Sequence, residues 1–204
     1  VVKANRKDRD ARTALVSACL SRNRIDDAER ILGEALARNS KDVEARLQHA
    51  QILIPARRYR EAEVDLAAVL KYQPDMGEAH YLLAKVHGGR GARLHQRQEL
   101  DHALQFNPRL LAGRLELARE LAAAGSGRAA LDVMNATPAD QAGTLPAIIG
   151  RNWALLAAGD YAEAAKGIAL GLAAARSPEL LLQDATIHLA ARRFAAARAS
   201  LEEG

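Results

Sequence analysis

Apolar residues recur along this chain at the spacing of a helix face, in short runs separated by turn-forming residues. Near the start, Leu15, Ala18 and Cys19 stand at positions i, i+3 and i+4, which is the pattern of one side of an α-helix. A second run begins at Ile25, after polar residues at 22–24. The sequence has no strand-like alternation of useful length. The pattern therefore predicts pairs of amphipathic helices and an all-α fold.

The helix pairs repeat with a period of about 34 residues. Polar or proline-bearing segments begin 34 positions apart, at Asn5, Asn39, Gln73 and Asn107. A second position recurs every 34 residues, except that its last two occurrences are 33 residues apart. It holds alanine in five repeats and glutamine in one: Ala28, Ala62, Gln96, Ala130, Ala164 and Ala197. Self-similarity at such a period indicates a stacked helical array. We expect a single array over residues 1–204, with repeats starting near 9, 43, 77, 111, 145 and 178 and with residues 1–8 ending a preceding repeat.

Helix-breaking residues divide each repeat in two. They fall at corresponding places: residues 22–24, Arg57–Arg58, Gly91, 125–127, Gly159–Asp160 and Arg192–Arg193. Glycine suits a helix end because it takes positive φ without a Cβ penalty. The fourth repeat reaches Pro138 early, and a proline does not continue a helix interior. We therefore expect the second helix of that repeat to be short.

This pattern resembles the tetratricopeptide repeat (TPR) family. The family pattern W-x2-L-G-x2-Y, then A-x3-F, then P is matched loosely but in every repeat. The second repeat carries it as His49, Ala50, Leu53, Ala62, Leu66 and Pro74, and the closest local match is Gly159 to Ala164 in the fifth repeat. The resemblance implies a right-handed α-α superhelix, a TPR solenoid of about six helix-turn-helix repeats. Since Val1 is not an initiator methionine, we expect a fragment of a longer, bacterial-looking assembly protein.

Composition narrows the class of protein further. Hydrophobic residues make up 49% of the chain and aromatics only 3%, so alanine and leucine, both strong helix formers, supply the core. One cysteine excludes an internal disulfide, and Cys19 is expected to be a buried thiol. The net charge of +4 is weak support for a nucleic-acid partner. No signal peptide or membrane-spanning run is present in the sequence, which leaves both cytoplasm and periplasm open.

Motifs for catalysis or cofactor binding are absent from the sequence. It contains no H-E-x-x-H, paired C-x-x-C, G-x-S-x-G or phosphate loop of the G-x-x-x-x-G-K type. The glycine-rich stretch at Gly88–Gly91 is interpreted as a turn between helices. We therefore predict no catalytic residues, no cofactor and no metal site, and a function other than enzymatic.

The TPR resemblance implies a concave groove lined by the first helix of each pair. The residues turned away from the packing face, which form the predicted partner-binding groove, are Leu47, Gln51, Tyr81, Lys85, Leu115, Arg119, Ile149 and Trp153. Aromatic and arginine side chains dominate interface energetics, so this set predicts a scaffold that binds a peptide with acidic and apolar side chains. Some family members bind the C-terminal peptides of heat-shock chaperones through Lys, Asn and Arg residues. At the corresponding places only Lys85 fits by charge.

Three alternatives remain open at this level. The groove can be filled by missing parts of the same chain, or the array can be a structural spacer within a larger assembly. The third is polyanion binding along an arginine-rich turn edge formed by Arg57, Arg58, Arg60, Arg90, Arg93 and Arg97. Few aromatics are interleaved there for base stacking, so a protein or peptide partner of unknown identity is the leading hypothesis. The oligomeric state is open.

The alignment of equivalent positions between repeats makes two predictions about side-chain packing. Arg151 and Asp184 hold equivalent places in the fifth and sixth repeats, and we expect them to pair across adjacent first helices unless the register slips by one residue. Aromatic residues share a place at the start of second helices, where we expect them to wedge between helices: Tyr59, Tyr161 and Phe194.

Overall fold

The computed structural model describes the backbone of residues 2–202 and the side chains of residues 9–202. Within that range the chain forms helices and no strand. The helices are α1 (Val2–Ser21), α2 (Ile25–Arg38), α3 (Val43–Leu53), α4 (Tyr59–Tyr72), α5 (Gly77–Gly89), α6 (Arg93–Phe106), α7 (Leu111–Ala123), α8 (Gly127–Asn135), α9 (Ala139–Ala142), α10 (Leu145–Ala158), α11 (Tyr161–Ala174), α12 (Pro178–Ala190) and α13 (Phe194–Glu202).

First helices begin where the period places the starts of repeats. Those of the second to sixth repeats start at Val43, Gly77, Leu111, Leu145 and Pro178. The backbone of residues 2–8 is continuous with α1, and Val1 lies outside the described residues. Whether residues 1–8 end a preceding repeat therefore stays a prediction.

A residue with positive φ ends the first helix of every repeat. The six positions follow the period, including its final step of 33: Asn23, Arg57, Gly91, Gly125, Gly159 and Arg192. The next residue donates its backbone N–H to a carbonyl five residues earlier, as Asp160 does to Leu155 at 2.9 Å. This is the Schellman arrangement, which satisfies carbonyls left over at a helix end. Three non-glycine residues accept the left-handed conformation here, so the turn is imposed by packing of the helices on both sides of it.

The chain divides into two compact halves, one up to Glu99 and the other from Leu100 onward. In the N-terminal half, Leu53, Leu66 and Val86 belong to one buried cluster and Ala28 and Leu32 to another. Cys19 lies in this second cluster and is buried, which confirms the sequence prediction for that residue.

In the C-terminal half, Ala130, Leu155 and Ile168 belong to one buried apolar cluster. The second helix of the fourth repeat, α8, has nine residues, which confirms the expectation of a short helix before Pro138. The short helix α9 follows, and its Asp140 forms an ion pair with Arg109. The loop before α7 is thereby tied to the segment that replaces the missing turns.

Polar residues in the first helices form a repeated contact that the sequence did not reveal. The fourth residue of α3, α5 and α7 donates a hydrogen bond to the backbone carbonyl six residues earlier. The pairs are Arg46–Ser40 at 2.8 Å, His80–Pro74 at 2.9 Å and Arg114–Pro108 at 2.9 Å. Each bond fixes the loop that enters a repeat, where carbonyls have no partner within a helix.

The same three residues also contact the second helix of their own repeat. Arg46 donates to the Asp65 carboxylate at 2.6 Å, and Arg114 to the Val133 carbonyl at 2.7 Å. Because no carboxylate faces it at that place, burial lowers the pKa of the Arg114 guanidinium. The contact thus links loop, first helix and second helix in each of these repeats.

The prediction of aromatic wedges is correct for one residue and wrong for two. Tyr59 is half-buried against its core cluster and lies so close to Gly89 that a Cβ there would overlap its ring. Tyr161 is 45% exposed and Phe194 66% exposed. In the repeat after Tyr161, an alanine stands at the place that corresponds to Gly89, so no glycine lets a ring approach the backbone there.

Asp42 provides a test of the capping interactions. Its carboxylate accepts from the Ala45 N–H at the start of α3 and from Arg12 at 2.8 Å. Burial alone would raise the pKa of Asp42, but these hydrogen bonds outweigh it and hold the pKa below its usual value. We expect Asp42→Asn to lower the free energy of unfolding by about 1–2 kcal/mol at pH 7, measured by urea titration.

The pH dependence of this difference has a defined sign. A lowered pKa in the folded state stabilises above the unfolded pKa of about 3.9, and the effect is lost as the pH falls through the folded pKa. The difference between wild type and Asp42→Asn should therefore shrink below about pH 4. Asp75→Asn, at an exposed loop position, is the control. A difference that stays constant down to pH 2 contradicts the role of the charge.

Two glycines allow close helix packing to be tested as a matched pair. A Cβ on Gly127 would overlap the backbone of Ala157 on α10, whereas one on Gly33 of α2 would meet nothing within 4 Å. We expect Gly127→Ala to lower the free energy of unfolding by about 1–3 kcal/mol. Gly33→Ala should raise it by about 0.5–1 kcal/mol because alanine favours a helix interior. Equal effects of the two changes in urea titrations would contradict this packing.

Candidate functional site

A half-open cavity of about 1000 Å³ lies between α7 and α10 in the C-terminal half. Four residues of the predicted groove line its wall together: Leu115, Arg119, Ile149 and Trp153. The rest of the lining is mostly alanine, with Leu145, Pro146 and Leu156. The cavity is therefore an apolar depression between the first helices of two successive repeats.

Helix periodicity explains why these four residues meet. Leu115 and Arg119 are four positions apart on α7, and Ile149 and Trp153 are four apart on α10. Residues at i and i+4 lie on one face of a helix, one turn apart. Since α7 and α10 pack against each other, the two faces form one wall. Trp153, the chain's single tryptophan, keeps 37% of its surface exposed there.

Two exposed charged residues of opposite sign line the cavity from different helices. Arg119 is the ninth residue of α7 and Glu179 is the second residue of α12, and both side chains are exposed. Neither has an ion pair within the part of the chain that the structure describes. Glu116, the third charged residue of the lining, already has a partner. The cavity thus offers one cation, one carboxylate and a largely apolar surface.

The predicted groove residues of the N-terminal half have other surroundings. Leu47 is 4% exposed and belongs to the core, so its prediction as a groove residue was wrong. Exposed Gln51 donates to Glu78 at 2.9 Å. Lys85 lies 5.4 Å from the ring centroid of Tyr81, within cation–π range.

The predicted ion pair between Arg151 and Asp184 is wrong. Arg151 donates to the Asn135 side chain at 3.1 Å, and Asp184 accepts from Ser200 at 2.7 Å. Asp184 also faces His188, at 3.4 Å. Both polar side chains reach a second helix, because this side of a first helix faces the second helices and not the next first helix.

A buried pair of amides behind the cavity wall was missed by the sequence analysis. Asn152 donates to Gln183 at 3.2 Å, and Gln183 donates to the carbonyl of Ile149 at 2.9 Å. Both side chains are at most 1% exposed. Asn152 fits because Gly167 opposite it has no Cβ. The polar residue at Asn152 was the available signal, because the other repeats have only alanine or valine at that place. The place of Gln183 gave no signal, because Gln48 and Glu116 are polar there too.

The arginine-rich edge is partly neutralised. Arg58 is ion-paired with Glu29 and Glu61, at 2.7 and 2.8 Å, and these contacts raise the pKa of its guanidinium. Arg90 pairs with Glu63 at 2.6 Å. This edge therefore offers a polyanion less positive charge than the sequence indicated.

Comparison with solved structures decides the fold. PilF of Pseudomonas aeruginosa superimposes with a TM-score of 0.79 at 14% identity, over 97% of this chain and 90% of that one. PilW, a widely conserved type IV pilus biogenesis factor, gives 0.79 at 19% identity, over 94% and 90%. YrrB, a TPR protein with an unusual peptide-binding site, gives 0.62 at 17% identity, over 94% and 95%. The chain has the TPR fold.

No protein-family model matches the sequence, and no curated protein matches it. The TPR assignment therefore comes from structure together with the period, and it confirms the predicted all-α helix-turn-helix fold. Among the described residues, none of the helices combines the length and apolarity that crossing a bilayer requires.

The amide pair behind the TPR cavity gives a stability prediction. Gln183→Ala removes a fully buried side chain and leaves Asn152 without its acceptor, so the free energy of unfolding should fall by about 2–4 kcal/mol. Urea titration measures this, and Gln98→Ala, at an exposed position of α6, is the control. A loss no greater than that of the control contradicts the role of the pair.

Proposed function

We propose that this protein is a non-catalytic interaction scaffold that holds a polypeptide segment in the cavity between α7 and α10. The observation that carries the proposal is the convergence of Leu115, Arg119, Ile149 and Trp153 on one apolar depression. Helical-repeat proteins use surfaces of this kind to bind partners. The bound segment carries apolar side chains for the wall and a carboxylate for Arg119.

The energetics of interfaces support this choice of residues. Tryptophan and arginine are enriched among residues that contribute most to binding when they lie in an apolar setting. A single exposed tryptophan is ordinary on a surface, but Trp153 stands next to an apolar cavity with an unpaired cation on the adjacent helix. YrrB, one of the structural neighbours, is a TPR protein with an unusual peptide-binding site, which supports the proposal.

Polyanion binding is the weaker candidate. Its edge residues Arg58 and Arg90 are held by carboxylates of the same half, and displacing them would cost those ion pairs. The cavity residues, in contrast, have no competing partner at Arg119. A peptide partner therefore uses groups that the fold leaves available.

A selection experiment tests the proposed function. Random 12-residue peptides displayed on phage are selected on the full chain, and the selected sequences are synthesised with a fluorescent label. Anisotropy titrations should give affinities that fall at least tenfold in Trp153→Ala and in Arg119→Ala, since both remove an anchor.

The control is Arg128→Ala, which removes an exposed cation from α8 in the same half. It should leave the affinities unchanged. The proposal fails if the selected peptides bind the Trp153 and Arg119 variants as tightly as wild type, or if Arg128→Ala weakens them equally.

A further inference from the structure

The shape of the cavity follows the helices that form its walls. On α7 its lining runs from Ala112 to Ala123, and on α10 from Leu145 to Ala157. At a rise of about 1.5 Å per residue these stretches are about 16 and 18 Å long. A volume of about 1000 Å³ over that length corresponds to a cross-section at least about 9 Å wide. The space therefore admits a row of side chains along the groove.

The chemistry of the lining selects the backbone conformation of the occupant. An extended peptide has free N–H and C=O groups that need partners. The walls offer helices whose own backbone groups are bonded internally, and their polar side chains are Glu116, Arg119 and Glu179. Laying unpaired backbone on this apolar surface costs free energy for every group. A helix satisfies its own backbone and presents only side chains.

The width also separates a helix from a lipid chain. A single acyl chain is one methylene wide and would leave most of this cross-section empty, so the wall atoms would lose dispersion contacts. Leucine or phenylalanine side chains on one stripe of a helix are wide enough to fill it. Such a stripe recurs at i, i+3, i+4 and i+7.

We propose that the cavity takes the apolar stripe of an amphipathic α-helix from a partner protein, with an acidic residue at Arg119 and a basic residue at Glu179. This inference rests on the proposed function and names the class of ligand. Arg119 and Glu179 stand at the ninth and second places of their first helices, a difference of seven residues in repeat register, which is about two helical turns. Two turns of a partner helix span the same length, which sets its acidic and basic residues seven positions apart.

Gly150 is the residue that opens the cavity. A Cβ at this place would overlap Cδ2 of Leu115 and lie 3.0 Å from Cε of Met134. Glycine therefore lets Leu115 lie against the backbone of α10 and leaves the centre of the groove empty. The equivalent places in the five other repeats hold larger residues: Ala14, Gln48, Leu82, Glu116 and Gln183. Substituting Gly150 would push the end of the Leu115 side chain into the space for the partner.

Trp153 makes the test specific to this site, because the chain has no other tryptophan. The probe is a 16-residue alanine-based peptide with leucines at i, i+4, i+7 and i+11 and with one Glu and one Lys seven positions apart. A second peptide has two interior alanines replaced by proline, which prevents the helix. Dodecanoate serves as the acyl-chain probe.

The helical peptide should shift Trp153 emission to shorter wavelength in a saturable titration. The proline peptide should bind at least tenfold more weakly. Gly150→Ala should also weaken the helical peptide at least tenfold, and it should remain folded because alanine favours a helix. Gly143→Ala, where a Cβ meets nothing within 4 Å, is the matched control and should bind like wild type.

Four outcomes overturn the inference. They are equal binding of the proline peptide, binding of dodecanoate that the helical peptide does not displace, the absence of a saturable shift with the helical peptide, and unchanged affinity in Gly150→Ala. The proposed function fails separately, because it depends on the phage-selected peptides. If those peptides bind through Trp153 but tolerate proline, the scaffold function stands and the helical ligand does not.

Discussion

The close approach of two helices at one small residue is the constraint on which each repeat depends. Alanine occupies this place in five of the six repeats and is essentially inaccessible to solvent: Ala28, Ala62, Ala130, Ala164 and Ala197. A helix pair of this length cannot cover its apolar side alone, so repeats stack to bury it. The small residue sets the distance at which the helices pack, and a larger residue at this place requires space on the facing helix.

Two larger residues show how that space is found. At this place in the third repeat Gln96 replaces the alanine, and a Cβ on the facing Gly88 would lie 2.7 Å from the Gln96 amide nitrogen. At a different place, in the first helix of the fifth repeat, Asn152 replaces a residue that is alanine in four repeats and Val16 in the first, and Gly167 faces it. Each larger side chain is thus matched by a residue without a Cβ on the opposing helix. Packing at native density leaves no other solution without a shift of the backbone.

The candidate site also depends on a glycine that lets a neighbouring side chain approach the helix backbone. Gly150 is close to Leu115 and Met134, and the Leu115 side chain takes the space that a side chain at Gly150 would fill. The buried amides of Asn152 and Gln183 hold α12 against the other side of α10. The candidate site is therefore supported from behind by polar contacts that leave no amide of this pair without a partner. One helix, α10, contributes both to the lining of the cavity and to this buried contact.

The sequence by itself determined the period, the helix pairs and the ends of the first helices, because these depend on local rules for apolar spacing and turn residues. It also grouped Arg119 with Leu115 and Trp153 with Ile149, since residues four apart share a helix face, and all four line the cavity; that they bind a partner stays a prediction. It placed Leu47 in the groove and paired Arg151 with Asp184, and both were wrong. The direction in which a helix face points is decided by its neighbours, and only the tertiary structure contains them. The cavity was also decided by the tertiary structure, because it depends on the absence of a side chain at Gly150 and on the position that Leu115 takes as a result.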